Sequence, residues 1–415
     1  MVKVSRILAL IGLLYIASAD RAANALPNLQ QLIDHAADNE TIVPPPGVYH
    51  GSVVIRHPVV LDGAGKVTID ADGKGSVIYL KTNGAVIKRL HLTNSGSYYD
   101  KLDAGIQVRG DFNVIKDNVI DNCLFGIDLE KAEYDVVRRN RISSKPLSLG
   151  LRGDAIRLWY SFNNKVTDNK IRHVRDTVVW YSKDNVIARN DTRDARYALH
   201  FMYSHHNIVE GNHYQDMSVG IFLMYSDNVE IRDNYIARAY GPTGMGIGFK
   251  ESSGVQVTNN RVQDNAVGIY IDVSPYDPDA KDVFKNNVIS FNGIGVHWLN
   301  SWHGNIFSGN AFLGNLIQVA VDGGGTASGN TWDGNYWDDY EFFDRNHDGI
   351  GDRPYHIYSY ADSIWEDVRD AQFFLGTPIM DVLDFLERLA PFSQPTLVLT
   401  DHRPNMKSRL RYVRR

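Results

Sequence analysis

The chain has 415 residues, 43% of them apolar, and a formal net charge of −6. That is enough to build one large core as a single domain, and the mild acidity argues against nucleic acid as a partner. The single cysteine, Cys123, rules out an internal disulfide and reads as a small buried residue.

Residues 1–25 read as a secretory signal. Lys3 and Arg6 supply the charged start, Ile7 to Ala17 form an apolar stretch too short to span a bilayer, and small residues at Ala17/Ala19 and Ala23/Ala25 offer two cleavage sites. The rest of the chain is expected to be exported and soluble. Residues 28–40 space Leu29, Leu32, Ile33 and Ala36 as a short helix does, and a capping helix is what the end of a repeat array needs. Pro44 to Pro46 then precede the first strand and belong at an edge.

From about residue 47 to about 335 the sequence repeats itself. IRLWYS (156–161), VVWYS (178–182), LHFMYS (199–204) and IFLMYS (221–226) are each followed by a turn and an Asn: Asn169, Asn190, Asn212 and Asn234. Apolar residues alternate with period 2 in each copy, and Gly, Asn and Asp break the strands every few residues. A period near 22 made of short strands predicts an all-β solenoid, a right-handed parallel β-helix. The leucine-rich repeat has a similar period, but its L-x-x-L-x-L-x-x-N frame is missing. Stacked Asn amides can bond along the solenoid axis, and Asn accepts the left-handed backbone of a tight corner. SSKPLSLGLRG (143–153) and SPYDPDAKD (274–282) lengthen two turns into surface loops. The expected organisation is a signal (1–25), a capped β-helix (26–335) and a distinct C-terminal part (336–415). In that last part 363–390 has two helical pieces split by Gly376-Thr377-Pro378, followed by a basic tail from Lys407 to Arg415.

Aligning the copies separates inward from outward residues. Ile156/Leu158, Leu199/Phe201, Ile221/Leu223, Ile247/Phe249 and Ile269/Ile271 point inward. One outward column reads Arg109, Glu130, Trp159, Trp180, Met202, Met224, Lys250, Asp272, Leu299. Its neighbour reads Gln107, Asp128, Arg157, Val178, His200, Phe222, Gly248, Tyr270, His297. With coils roughly 4.8 Å apart, two thioethers fall one rung from each other, with His200 beside the first. Such soft donors select Cu(I). Met245, at the start of the next coil, can swing toward the pair, and Met217 reads as a turn residue. Trp159 and Trp180 form an apolar patch suited to partner docking.

DRNHDGIGD (344–352) has the spacing of a short calcium loop. Asp344, Asn346, Asp348 and Asp352 offer side-chain oxygens, Ile350 its carbonyl, and Gly349 the sharp turn. A structural Ca²⁺ there would pin the end of the solenoid to the C-terminal segment.

The series GDAIRLWYS, VVWYS, YALHFMYS, VGIFLMYS and VGIYID resembles the NosD family of nitrous-oxide reductase maturation proteins. So do QVAVDGGG (318–325), NYWDDYEFFDRNHDGIGDRPY (335–355) and DHRPNM (401–406). The resemblance implies a non-enzymatic periplasmic protein. It implies work with the ATPase and membrane subunits of an ABC transporter, receipt of Cu(I) from a copper chaperone lipoprotein, and docking to nitrous-oxide reductase for assembly of its copper–sulfur cluster. No GxxxxGK[ST] loop occurs in this chain, so ATP hydrolysis falls to partners. The rival reading is a carbohydrate-acting β-helix enzyme, a polysaccharide lyase or hydrolase, which needs clustered carboxylates on one outward face.

Overall fold

The computed structural model describes residues 26–359, 382, 386 and 395–408. The expected signal (1–25) and nearly all of the two expected helical pieces (363–390) lie outside the described residues, as does the tail beyond Ser408.

The solenoid begins where the spacing places its cap. Leu29–His35 is a helix whose N-cap is Asn28, with the Asn28 side chain accepting the Gln31 N–H at 3.0 Å. Leu29 and Ile33 are buried against the first coil. Short strands then pair in parallel from Thr41–Ile42 to Tyr336–Trp337. The alternation is realised as expected: Ile156, Leu158, Leu199, Phe201, Ile221, Leu223, Ile247, Phe249, Ile269 and Ile271 are all at most 1% exposed. Their burial in one continuous core is the main stabilising term. No helix among the described residues is long and apolar enough to cross a membrane.

The recurring Asn forms an amide ladder. From Asn118 through Asn140, Asn169, Asn190, Asn212, Asn234, Asn260, Asn287 and Asn310 to Asn335, each Nδ2 donates to the Oδ1 of the next at 2.9–3.1 Å. The backbone role expected of Asn is corrected. The left-handed corner residue is the one before it: Asp117, Arg139, Asp168, Arg189, Gly211, Asp233, Asn259, Asn286, Gly309 and Gly334 all have φ between 53° and 70°. That corner turns the following Asn inward, where it is buried and satisfied. The same device explains the WYS and MYS endings. Tyr160, Tyr181, Tyr203 and Tyr225 hold the left-handed corner, and Ser161, Ser182, Ser204 and Ser226 turn in to form a second ladder, each backbone N–H donating to the next Ser Oγ at 2.9–3.1 Å.

Rung spacings along the Asn ladder run from 21 to 29 residues. The 29-residue step contains the 143–153 loop and a 27-residue step contains the 274–282 loop, both expected. A 26-residue step carries a third extension around Gly241–Gly244 that the sequence pattern hides. The array ends on a pair that the sequence reading missed: Thr396–Asp401 lies antiparallel to Tyr355–Ser359. Its Asp401 carboxylate accepts the last ladder amide, Asn335 Nδ2 at 2.9 Å, the Asn335 N–H at 3.0 Å and Trp337 Nε1 at 3.2 Å. Cys123 is buried as expected, and burial pushes its thiol up to about 12.

Candidate functional site

The outward columns are set by strand register. Glu130, Trp159, Trp180, Met202, Met224, Lys250 and Asp272 pair rung to rung. So do Asp128, Arg157, Val178, His200, Phe222, Gly248, Tyr270 and His297. This face divides by chemistry along the axis. At one end Asp128 is fully buried between Arg109 and Arg157, each at 2.8 Å, and Glu130 is 2.8 Å from Arg109. Both carboxylates of that coil are thus consumed in ion pairs. At the other end Lys250 meets Asp272 at 3.6 Å, and His297 Nε2 meets Asp322 at 2.6 Å with the Tyr270 ring against the imidazole. Between these charged ends lie the two Trp and the two Met.

The two Trp rings do not stack face to face. Their centroids are 5.8 Å apart at 62°, and Arg157 lies over Trp159 at 4.6 Å. Both are half-buried. Beside them runs a feature the column alignment passed over. Tyr160, Tyr181, Tyr203 and Tyr225 stack nearly parallel at 4.8–5.3 Å, with Tyr160 and Tyr203 more than 40% exposed. The signal was present as the invariant Tyr of the four copies. It reads as a corner residue, and only the left-handed backbone at each corner throws the rings into one row.

His200 sits just after an irregularity in the pairing. Asp176 pairs with Tyr197 but Val178 pairs with His200, so the later strand carries one extra residue there. Tyr197 stacks on the imidazole at 4.9 Å, and Trp180 meets it edge-on at 5.8 Å. This enclosure pushes the His200 pKa down to about 4, burial being the main cause. The ring is therefore neutral above that pH. Nδ1 is buried without a hydrogen-bond partner among the described residues, and Nε2 lies 3.3 Å from Met224 Sδ. The imidazole thus meets the second Met of the column rather than the first. Met202 is the register neighbour of Met224, so the three residues share two adjacent rungs.

Met245 stands in the strand Met245–Lys250, one rung beyond. Its sulfur lies over Gly248, 2.9 Å from where a Cβ would sit, and the Phe222 ring crowds the same spot. Phe222 occupies the rung between His200 and Gly248. Reaching the His200–Met224 pair requires Met245 to swing past that ring. Met217 is not on a turn; it lies within the strand His213–Met224 and is buried in the core. His205 and His206 sit on the exposed corner after Tyr203, with His205 Nδ1 3.2 Å from Asp227.

The 344–352 loop is folded on itself. Asp344 accepts the Asp348 and Gly349 N–H groups at 3.1 and 2.9 Å, Asp348 accepts that of Ile350 at 2.8 Å, and Asp352 accepts that of Arg345 at 3.1 Å. Gly349 has φ +85°. Asn346 and Asp348 are joined at 2.9 Å. The loop touches the C-terminal segment, with Ile350 bridged to Asn405 and the Met406 N–H donating to the Gly349 carbonyl at 2.9 Å.

Fold and site together describe a parallel β-helix bearing a soft thioether–imidazole pair on an aromatic face. Residues 145–342, the stretch that carries this pair, match the family model described as the periplasmic copper-binding protein NosD, and the chain is NosD-like. A curated relative in Pseudomonas aeruginosa, named as a probable ABC transporter binding protein NosD, is 30% identical over 133 residues; the match spans 31% of this chain and 31% of the relative. Among solved structures, the A-module of mannuronan C-5 epimerase AlgE6 from Azotobacter vinelandii is 19% identical, covering 73% of this chain and 93% of its own, with a TM-score of 0.56. The catalytic unit of an α-1,3-glucanase from Streptomyces thermodiastaticus is 16% identical, covering 70% and 64%, with a TM-score of 0.50. At these identities the likeness shows the β-helix fold alone.

Proposed function

We propose that this chain is a periplasmic copper-handling accessory protein that takes Cu(I) as cargo at Met202, Met224 and His200, with Met245 closing the set. The observation that carries the reading is the contact of a neutral, enclosed His200 Nε2 with Met224 Sδ at 3.3 Å. A thioether and a neutral imidazole bind Cu(I) without having to lose a proton, and they discriminate against hard cations. The half-buried Trp159 and Trp180 and the partly exposed tyrosine row beside this pair support a docking role for the face, as a handover site requires. The partners of this proposal are those the resemblance to the NosD family implies: a copper chaperone lipoprotein that delivers Cu(I), the ATPase and membrane subunits of an ABC transporter, and nitrous-oxide reductase as recipient. The carboxylates a sugar enzyme would use in the Asp128/Glu130 coil are neutralised by Arg109 and Arg157, which weighs against the lyase or hydrolase reading.

The test is a Cu(I) titration against a chromophoric chelator, with wild type and Met202→Ala/Met224→Ala. Stoichiometric binding by wild type that the double variant loses supports the site. Equal binding by both removes it. Turnover of an anionic polysaccharide would restore the enzyme reading.

A further inference from the structure

A second group of metal-binding side chains lies at the opposite chemical extreme, on the first coils. His50 ends the strand Gly47–His50 and Asp70 ends Val60–Asp70, and the two are register partners. Asp72 follows at a left-handed corner, φ +54°. One ligand atom from each of His50, Asp70 and Asp72 lies within 4.8 Å of the others. Donors about a shared cation at ~2.0–2.2 Å stand roughly 3–3.5 Å apart, so small rotations of exposed side chains close the set.

The group is partly preorganised. Asp70 Oδ1 accepts the Asp72 N–H at 2.8 Å and Asn94 Nδ2 at 2.8 Å, which fixes the carboxylate and leaves Oδ2 with no hydrogen bond among the described residues. His50 Nδ1 is 2.8 Å from Asp72 Oδ1, and Nε2 is likewise without a hydrogen bond. Outer-shell bonds of this kind orient metal ligands. The second observation is electrostatic. At three other corners of the solenoid the carboxylate is clamped by arginine: Asp117 by Arg139 at 2.7 Å, Asp168 by Arg189 at 2.8 Å, Asp216 by Arg238 at 2.6 Å. Asp70 and Asp72 have no Lys or Arg partner among the described residues, and one imidazole stands against two carboxylates.

The geometry points to a divalent transition-metal site at His50, Asp70 and Asp72, with one nitrogen and two oxygen donors. This donor set takes Zn²⁺ and, by the Irving–Williams order, Cu²⁺ more tightly. It is the hard-to-borderline counterpart of the thioether pair and stands independently of the copper(I) reading.

Zn²⁺ titrated calorimetrically into the full chain tests it, with His50→Ala, Asp72→Asn and Met202→Ala/Met224→Ala compared and far-UV circular dichroism confirming the fold of each. The expected result is a site that weakens about tenfold or more in the His50 and Asp72 variants and is unchanged in the double Met variant. Cu²⁺ should then give an electron paramagnetic resonance spectrum with coupling to one nitrogen, lost in His50→Ala. Absence of Zn²⁺ binding by wild type, wild-type affinity in His50→Ala, or loss of Zn²⁺ in the double Met variant each overturns the assignment.

Discussion

Asn212→Ala removes one rung from the amide ladder and leaves the apolar core untouched. The Asn212 side chain donates to Ile187 O at 2.9 Å and Asn234 Oδ1 at 3.0 Å, and accepts from Asn190 N at 2.9 Å and Asn190 Nδ2 at 3.0 Å. Asn234 Oδ1 keeps the Asn212 backbone N–H at 2.9 Å, and Asn190 Nδ2 keeps Val166 O at 2.9 Å. The groups left wanting are the Asn190 backbone N–H and one Asn190 amide hydrogen, while Ile187 keeps its place in the parallel pairing of Val186–Ala188 with Ile208–Glu210. Each of these two buried orphans costs about 1–3 kcal/mol, and residual water entry lowers the sum, so a loss of about 3 kcal/mol is expected. Urea unfolding followed by circular dichroism measures it, with Lys285→Ala as an exposed control expected within about 0.5 kcal/mol of wild type. A loss below about 1 kcal/mol for Asn212→Ala would show that the ladder records the coil geometry without stabilising it.

His200, folded at about 4 and ordinarily at 6.5, makes stability fall with pH. Below 6.5 the unfolded chain takes a proton that the native ring refuses, so stability is lost as pH drops from about 6.5 to about 4, by at most about 3 kcal/mol at 1.36 kcal/mol per unit. His200→Gln should flatten that part of a stability–pH curve, while Cu(I) affinity of the wild type should hold steady from pH 7 to 5. Asp401→Ala removes acceptors for Asn335, Trp337 Nε1, Gly334 N and Arg403 N; hydrogen exchange across 396–405 should accelerate more than tenfold, with little change in the central coils. Ca²⁺ should raise the melting temperature of wild type and leave that of Asp348→Ala unmoved, as a scanning calorimetry trace in Ca²⁺ and in chelator would show; equal traces for wild type would reject the calcium loop.

The repeat was legible in the sequence because a parallel solenoid converts spacing into register. Once IRLWYS, VVWYS, LHFMYS and IFLMYS are aligned, the rows Trp180–Met202–Met224 and Val178–His200–Phe222 follow without further information. What register cannot give is the direction of a side chain across rungs. The diagonal contact of His200 with Met224, rather than with Met202, depends on the extra residue before His200 and on Tyr197 and Trp180 packing round the ring. The Gly241–Gly244 extension was missed because its neighbours on both sides keep the motif. Thr396–Asp401 was missed because its partner, Tyr355–Ser359, lies some forty residues earlier and outside the repeat. The inward turn of each Asn was credited to its own backbone, though the strained residue is the one before it.

Every amide in the Asn ladder donates in the same direction, from Asn118 toward Asn335. The row therefore has polarity: it begins at an oxygen, Asn118 Oδ1, filled by the Leu90 N–H, and finishes at a carboxylate with no hydrogen to pass on. Asp401 is a terminator. Coils can be gained or lost within the row, since any Asn both receives and donates, but none can be appended past it. Length in this protein is thus free to vary in the middle and closed at the C-terminal end, and the aromatic, thioether and charged zones of the outward face can drift apart or together along the axis without disturbing either cap.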